Sequence, residues 1–311
     1  MHRPPSPLHW VYSLNMRLSV PLTAYLACSL LPLMATAQTQ SYTPLPPIRN
    51  TIVAEQIVRD ATIQAGRASS TNRPTFFFSG DRVFPHLAIG AGWETILVLV
   101  NLTNAAVSFT QSFYDPSGNP MPVTFKSVPG GVLTTASAAA GTLGPNASFN
   151  ILLTDDGGGL KTGWAFVSYD ATNARIGGYA IFRQRIQGSP DFEALVPLSG
   201  YDDSIFVMPF DNVDGFVTSM AILNPGVNLT STVEAFIMDT SGTVIGTDSI
   251  VLAPGQQQAF SIPDRFPLTR NQIGTIQFYG STNRLSGLGF RFNPGHAFAT
   301  IPILNWSGMF E

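Results

Sequence analysis

Nucleophilic catalysis requires a base beside a hydroxyl or thiol, and this chain offers little from which to build that pair. Beyond residue 37 the histidines are His86 and His296, no cysteine remains, and no Gly-x-Ser-x-Gly elbow occurs. His86, in Phe84-Pro85-His86-Leu87, opens a strand-like run, whereas His296 follows Pro294-Gly295 in a turn. Glycoside hydrolysis needs two carboxylates held across a cleft. Glu94, Glu193 and Glu234 are the glutamates inside the strand-rich region. Glu234 falls opposite Gln111 when the two halves of the chain are aligned, so it reads as a polar strand position. The sequence predicts no catalytic residue and no enzyme.

Metal ligation has one candidate. Asp211-Asn212-Val213-Asp214-Gly215, with Asp202-Asp203 nearby, is as oxygen-rich as calcium loops are, but it lacks their Asp-x-Asp-x-Asp-Gly spacing and distal Glu. A solvated turn is the simpler reading. Calcium on Asp211 and Asp214 is the alternative, and no other cofactor is expected. Asp155-Asp156, ahead of three glycines, is a weaker version of the same pattern.

Ligand binding points to a different pair. The run Gly163–Tyr169 aligns with Gly274–Gly280, and successive strand side chains face opposite sides. Ala165 and Val167 then match Ile276 and Phe278 on a core face, while Trp164 and Phe166 stand where the second copy has Thr275 and Gln277. An aromatic face on one copy alone needs a cover. The cover is either the second domain or the N-terminal segment, or else the face is a platform for a sugar ring or a protein ligand.

The element that must position all of these is a repeat. Trp93–Gly118 is echoed by Phe216–Gly242, with Asn101 matching Asn224, Phe113 matching Phe236, and an Asp-x-Ser-Gly turn closing both. The echo continues through Leu143-Gly144-Pro145 and Leu252-Ala253-Pro254, Phe182-Arg183 and Phe290-Arg291, and Val196-Pro197 and Ile301-Pro302. Shared positions are read as structural. Trp93, matched by Phe216, belongs in a core; Arg183 and Arg291 bond carbonyls or an acid of their own module; Asn101 and Asn224 close strand ends. Short runs rich in Val, Ile, Phe and Thr, punctuated by Gly and Asp turns, predict strands and hairpins from residue 76 onward.

Ahead of the repeat, Arg17, the apolar stretch Leu18–Met34 and Ala35-Thr36-Ala37 form a secretory signal pattern, with Met16 an alternative start. Cys28, the single cysteine, lies within it and offers a lipoprotein alternative. Residues 38–75 are Pro-, Ser- and Thr-rich and read as a linker, with a short helix or strand over 52–63. Removing residues 1–37 leaves 14 basic against 19 acidic residues, a charge near −5 with no footprint for nucleic acid or anionic lipid. No later stretch is apolar enough to span a membrane. Four Asn-x-Ser/Thr sequons, at Asn101, Asn146, Asn228 and Asn305, are read as chance.

FPHLAIGAGWETILVLVNLTNAAVSFTQSFYDPSGNP, with Gly178–Arg183 and Leu195-Val196-Pro197 downstream, resembles repeated modules of secreted proteins of soil bacteria and, more loosely, bacterial immunoglobulin-like domains. The resemblance covers about residues 76–304 and implies a fold but no activity. The expectation is therefore all-β: two tandem antiparallel β-sandwich, immunoglobulin-like domains (76–200 and 201–311) after a signal peptide (1–37) and a linker (38–75). The expected role is an exported, non-enzymatic surface, adhesion or scaffold module meeting protein or polysaccharide at the cell surface. The alternative is carbohydrate binding through Trp164 and Phe166.

Overall fold

A computed structural model describes residues 81–305 apart from 155, 156, 158, 171, 173, 189, 202, 203, 283 and 302. The signal, the linker and its 52–63 element, Asp155-Asp156 and Asp202-Asp203 lie outside the described residues. The chain is all-β, and every strand pairing is antiparallel. The first half runs β1 (Arg82–Ile89), β2 (Trp93–Asn101), β3 (Val107–Tyr114), β4 (Val123–Ser127), β5 (Thr134–Ala136), β6 (Ala138–Leu143), β7 (Ser148–Thr154), β8 (Lys161–Tyr169), β9 (Ile176–Gln184) and β10 (Phe192–Pro197). The second runs β11 (Ile205–Asp211), β12 (Val217–Leu223), β13 (Ser231–Asp239), β14 (Val244–Leu252), β15 (Gln257–Ser261), a helical turn α1 (Ile262–Arg265), β16 (Ile273–Gly280), β17 (Ser286–Phe292), β18 (Phe298–Ile301) and β19 (Leu304–Asn305).

In the first half, sheets ordered β1-β8-β3-β6 and β10-β9-β2-β7-β4-β5 face each other. In the second, β11-β16-β13-β14 and β18-β17-β12-β15 follow the same order, with β19 added beside β11 and, among the described residues, no counterpart of β4 and β5. Alternation creates the cores. Phe109 and Phe113 of β3, Leu97 and Leu99 of β2, and Ala165 and Val167 of β8 point inward between the first pair of sheets. Val233, Ala235 and Ile237 of β13 meet Met208, Ile222 and Phe278 between the second pair.

Strand order departs from the immunoglobulin arrangement. There the first strand lies beside the second and the seventh beside the sixth. Here β11 lies beside β16, and β17 beside β12. The 212–216 turn carries the chain from one sheet to the other. Asn212, buried, pins that turn by accepting from the Thr218 amide (2.8 Å) and donating to the Thr269 Oγ1 (3.2 Å).

The repeated devices are the same in both halves. Asn101 Nδ2 donates to the carbonyls of Ala105 (2.7 Å) and Gly144 (2.9 Å), and its Oδ1 accepts from the Thr103 amide (3.0 Å). Asn224 Nδ2 donates to Leu229 (2.8 Å) and Leu252 (3.1 Å), and its Oδ1 accepts from Gly226 (3.1 Å). Each closes a loop that would otherwise bury unpaired carbonyls. Asp115 Oδ1 accepts from Ser117 and Asn119, as Asp239 Oδ1 does from Ser241 and Thr243. These are Asx turns.

Register corrects one alignment. Phe113 pairs with Ala165 across β3 and β8, and Ile237 pairs with Ile276 across β13 and β16. Phe113 therefore corresponds to Ile237 rather than Phe236, and Gln111 to Ala235 rather than Glu234. A one-residue slip reverses every facing. Gln111 is fully buried, Glu234 is exposed, and Phe236 packs edge-on against Tyr279 outside the core.

At the free margin of β14, the outward carbonyls of Ser249 and Val251 accept hydrogen bonds from the side chains of Arg265 (2.9 Å) and Gln258 (3.1 Å).

Candidate functional site

Trp164 and Phe166 occupy the outer face of β8, as the alternation requires, but that face is covered. Trp164 is 3% exposed and Phe166 5%, within a cluster with Val83, Tyr114 and, from residue 201 onward, Tyr201 and Leu223. Tyr114 stacks on the indole at 4.4 Å, and the indole N–H donates to the Gly255 carbonyl at 3.1 Å. The crevice beside them measures about 30 Å³, room for about one water. A sugar ring has no open surface there. Of the two readings of this face, a cover by the second half is the one found: the pair joins the two halves.

The turn Asp115-Pro116-Ser117-Gly118 is part of that joint. Gly118, at φ +83°, lies so close to Gly255 that a Cβ would sit 2.8 Å from the Gly255 oxygen, whereas the equivalent Gly242 has nothing within 4 Å. The Gln257 amide donates to the Pro116 carbonyl at 2.9 Å. Gln257 then sends its side chain into the first half, where Nε2 donates to the carbonyls of Pro85 and Gly163 (2.9 Å) and lies 3.2 Å from His86 Nδ1. Nothing in the local sequence marks Gln257. Its partners lie far away in the chain, and only the absence of a Gln at the matching position of the first copy distinguishes it.

Asp211 is engaged by a cationic side chain. Asp211 Oδ2 takes Nε (2.9 Å) and Nη2 (2.6 Å) of Arg291, whose guanidinium lies 3.5 Å over the Phe216 ring. Burial pushes the Asp211 carboxyl upward, but Arg291 and the Val213 amide outweigh it and hold the group below the usual carboxylate range. Asp214, at φ +54°, forms the left-handed corner of the turn with Gly215. Among the described residues no three acidic, His or Cys side chains cluster as metal ligands.

Arg183 mirrors Arg291 in role. It stands in register between Glu94 on β2 and Glu193 on β10 and bonds Glu193 at 2.6 Å, while Glu94 also meets Arg185 at 3.0 Å. Two carboxylates thus come near one another with guanidinium groups between them, an ion-pair ladder rather than an acid–base pair.

His86 is the titratable group in the most distinctive cavity. This space of about 260 Å³ lies between the halves, walled by Trp93, Phe182, Phe260, Phe290 and Phe292. The imidazole stacks on Phe182 at 5.9 Å, and Phe182 meets Phe290 edge-on at 5.4 Å. Trp93, expected in a core, is only half-buried and leans on Phe298 of the other half at 5.1 Å. Burial pulls the His86 pKa down to about 4, with the Gln257 contact set against it. The geometry limits that opposition. Both hydrogens of the Gln257 amide are taken by carbonyls, so a proton on Nδ1 would face an N–H group. Ser219 and Thr162 also line the cavity, and neither is hydrogen-bonded to the imidazole. His296 sits in a left-handed turn (φ +67°) away from this cluster.

Among the described residues no helix is long and apolar enough to cross a membrane. No family model, curated protein or solved structure matches this chain.

Proposed function

We propose that the chain is an exported, non-enzymatic protein whose two tandem antiparallel β-sandwich modules form a surface or scaffold unit meeting protein or polysaccharide at the cell surface. The observation carrying this reading is the joint at Trp164, Gly118 and Gln257, which commits the unshared features of the first half to holding the second. Two sandwiches locked in this way present a fixed surface, as a scaffold requires. The state of His86 favours the non-enzymatic part. A histidine with a pKa near 4 is a weak general base at neutral pH, and no hydroxyl is bonded to it. The carbohydrate-binding alternative loses its platform with the burial of Trp164 and Phe166.

The test is expression of the full chain in a bacterium, followed by fractionation and N-terminal sequencing. Export predicts a product beginning at Gln38 in the periplasm, on the surface or in the medium. A full-length product confined to the cytosol would overturn it. Turnover in a broad hydrolase screen, lost on replacing His86, would overturn the non-enzymatic assignment.

A further inference from the structure

The cavity between the halves has chemistry that a scaffold does not use. Its volume, about 260 Å³, is larger than the roughly 150 Å³ that holds a benzene ring in an enclosed apolar site, and it opens to solvent past Leu160 and Ala259. No acidic or basic side chain other than His86 lines it, and the walls are mainly aromatic. His86 is the polar group of interest. The Gln257 amide nitrogen faces Nδ1, and flipping the amide would set its oxygen against the Pro85 and Gly163 carbonyls to which Nε2 donates. The imidazole proton therefore resides on Nε2, which makes no hydrogen bond within the described residues. The ring is exposed only in part, and the cavity is the space it borders. An unpaired donor in an apolar pocket favours a ligand acceptor.

We propose that this cavity binds a small, uncharged aromatic molecule bearing one hydrogen-bond acceptor, of the aryl ketone class, with its ring among Phe182, Phe260 and Phe290 and its acceptor on Nε2 of His86. A carboxylate or ammonium is disfavoured because no counter-charge awaits it. A sugar is disfavoured because its many hydroxyls outnumber the polar groups of Thr162, Ser219 and His86.

The experiment is calorimetric titration of the full exported chain with acetophenone, ethylbenzene and benzoate, alongside ¹⁵N NMR of the imidazole. Acetophenone should saturate one site and shift the His86 Nε2 resonance. Ethylbenzene, the same shape without the acceptor, should bind about three- to tenfold more weakly, and benzoate should give no saturable heat. Ala259 lines the cavity from an exposed position, so Ala259→Trp should obstruct the pocket and weaken acetophenone at least about tenfold while leaving the unfolding midpoint near wild type. No saturable acetophenone binding, equal affinity for benzoate or ethylbenzene, or an unchanged affinity in Ala259→Trp would each overturn the proposal. Should that variant fail to fold, the wild-type Nε2 shift decides.

Discussion

The indole N–H of Trp164 and the carbonyl oxygen of Gly255 meet at 3.1 Å across the junction of the two halves. This bond satisfies a buried donor on one side and an acceptor in a turn on the other. Trp164→Ala should cost about 3–5 kcal/mol through the cavity it leaves, and Trp164→Phe about 1–2 kcal/mol through the unpaired carbonyl. Urea denaturation measures both. An effect below about 1 kcal/mol for the alanine variant would contradict the packing described.

Gly118 and Gly242 close equivalent turns with nearly the same backbone, φ +83° and +81°. Alanine at either position strains the turn by roughly 1 kcal/mol. Only Gly118 also abuts the Gly255 backbone. Gly118→Ala should therefore lower stability by at least about 1 kcal/mol more than Gly242→Ala, and the pair of melting curves isolates the contribution of the junction.

Gln111 is fully buried among the apolar residues of the first core, and neither its Nε2 nor its Oε1 has a hydrogen-bond partner. Such a group carries its desolvation cost with no return. Gln111→Leu should stabilise the fold by about 1–3 kcal/mol, an outcome that equilibrium unfolding detects as a higher midpoint at unchanged slope.

Asn101 and Asn224 aim amide hydrogens at carbonyls while buried, each 1% exposed. Asn101→Asp and Asn224→Asp are nearly isosteric, but each turns an acceptor toward those carbonyls. Losses of about 3 kcal/mol or more are expected from either. For the same reason the Asn101 sequon cannot carry a glycan in the folded chain.

His86 gives stability a pH dependence of known sign. Its folded pKa lies near 4, below the ordinary 6.5, so between those values the unfolded chain binds more protons than the folded one. Its contribution is fully present above about pH 6.5 and is lost as pH falls toward 4, a change of up to about 3 kcal/mol that levels off below. The difference in unfolding free energy between wild type and His86→Met should shrink across that window. A difference independent of pH would remove the buried neutral imidazole from the account.

Much of the fold was legible because alternation is a local property. The split of β8 into an inward Ala165–Val167 face and an outward Trp164–Phe166 face follows from sequence alone, and so do the Asx turns at Asp115 and Asp239. The second domain was among the covers the sequence allowed for the outward face, but the covering residues Leu223 and Gly255 were not legible, because they come from a distant part of the chain. The exchange of outer strands relative to the immunoglobulin order also escaped, since pairing partners are chosen by tertiary packing. The Phe113 and Phe236 match failed because residue identity was weighed above register. Gln257 left no trace, having distant partners and no unusual neighbours.

The margin of β14, where Arg265 and Gln258 occupy the Ser249 and Val251 carbonyls, decides how many such molecules can live side by side. A bare sheet border recruits extended segments from neighbours and seeds fibres. Here a newcomer must first dislodge two side chains, so crowding at high copy number should leave separate particles rather than a polymer.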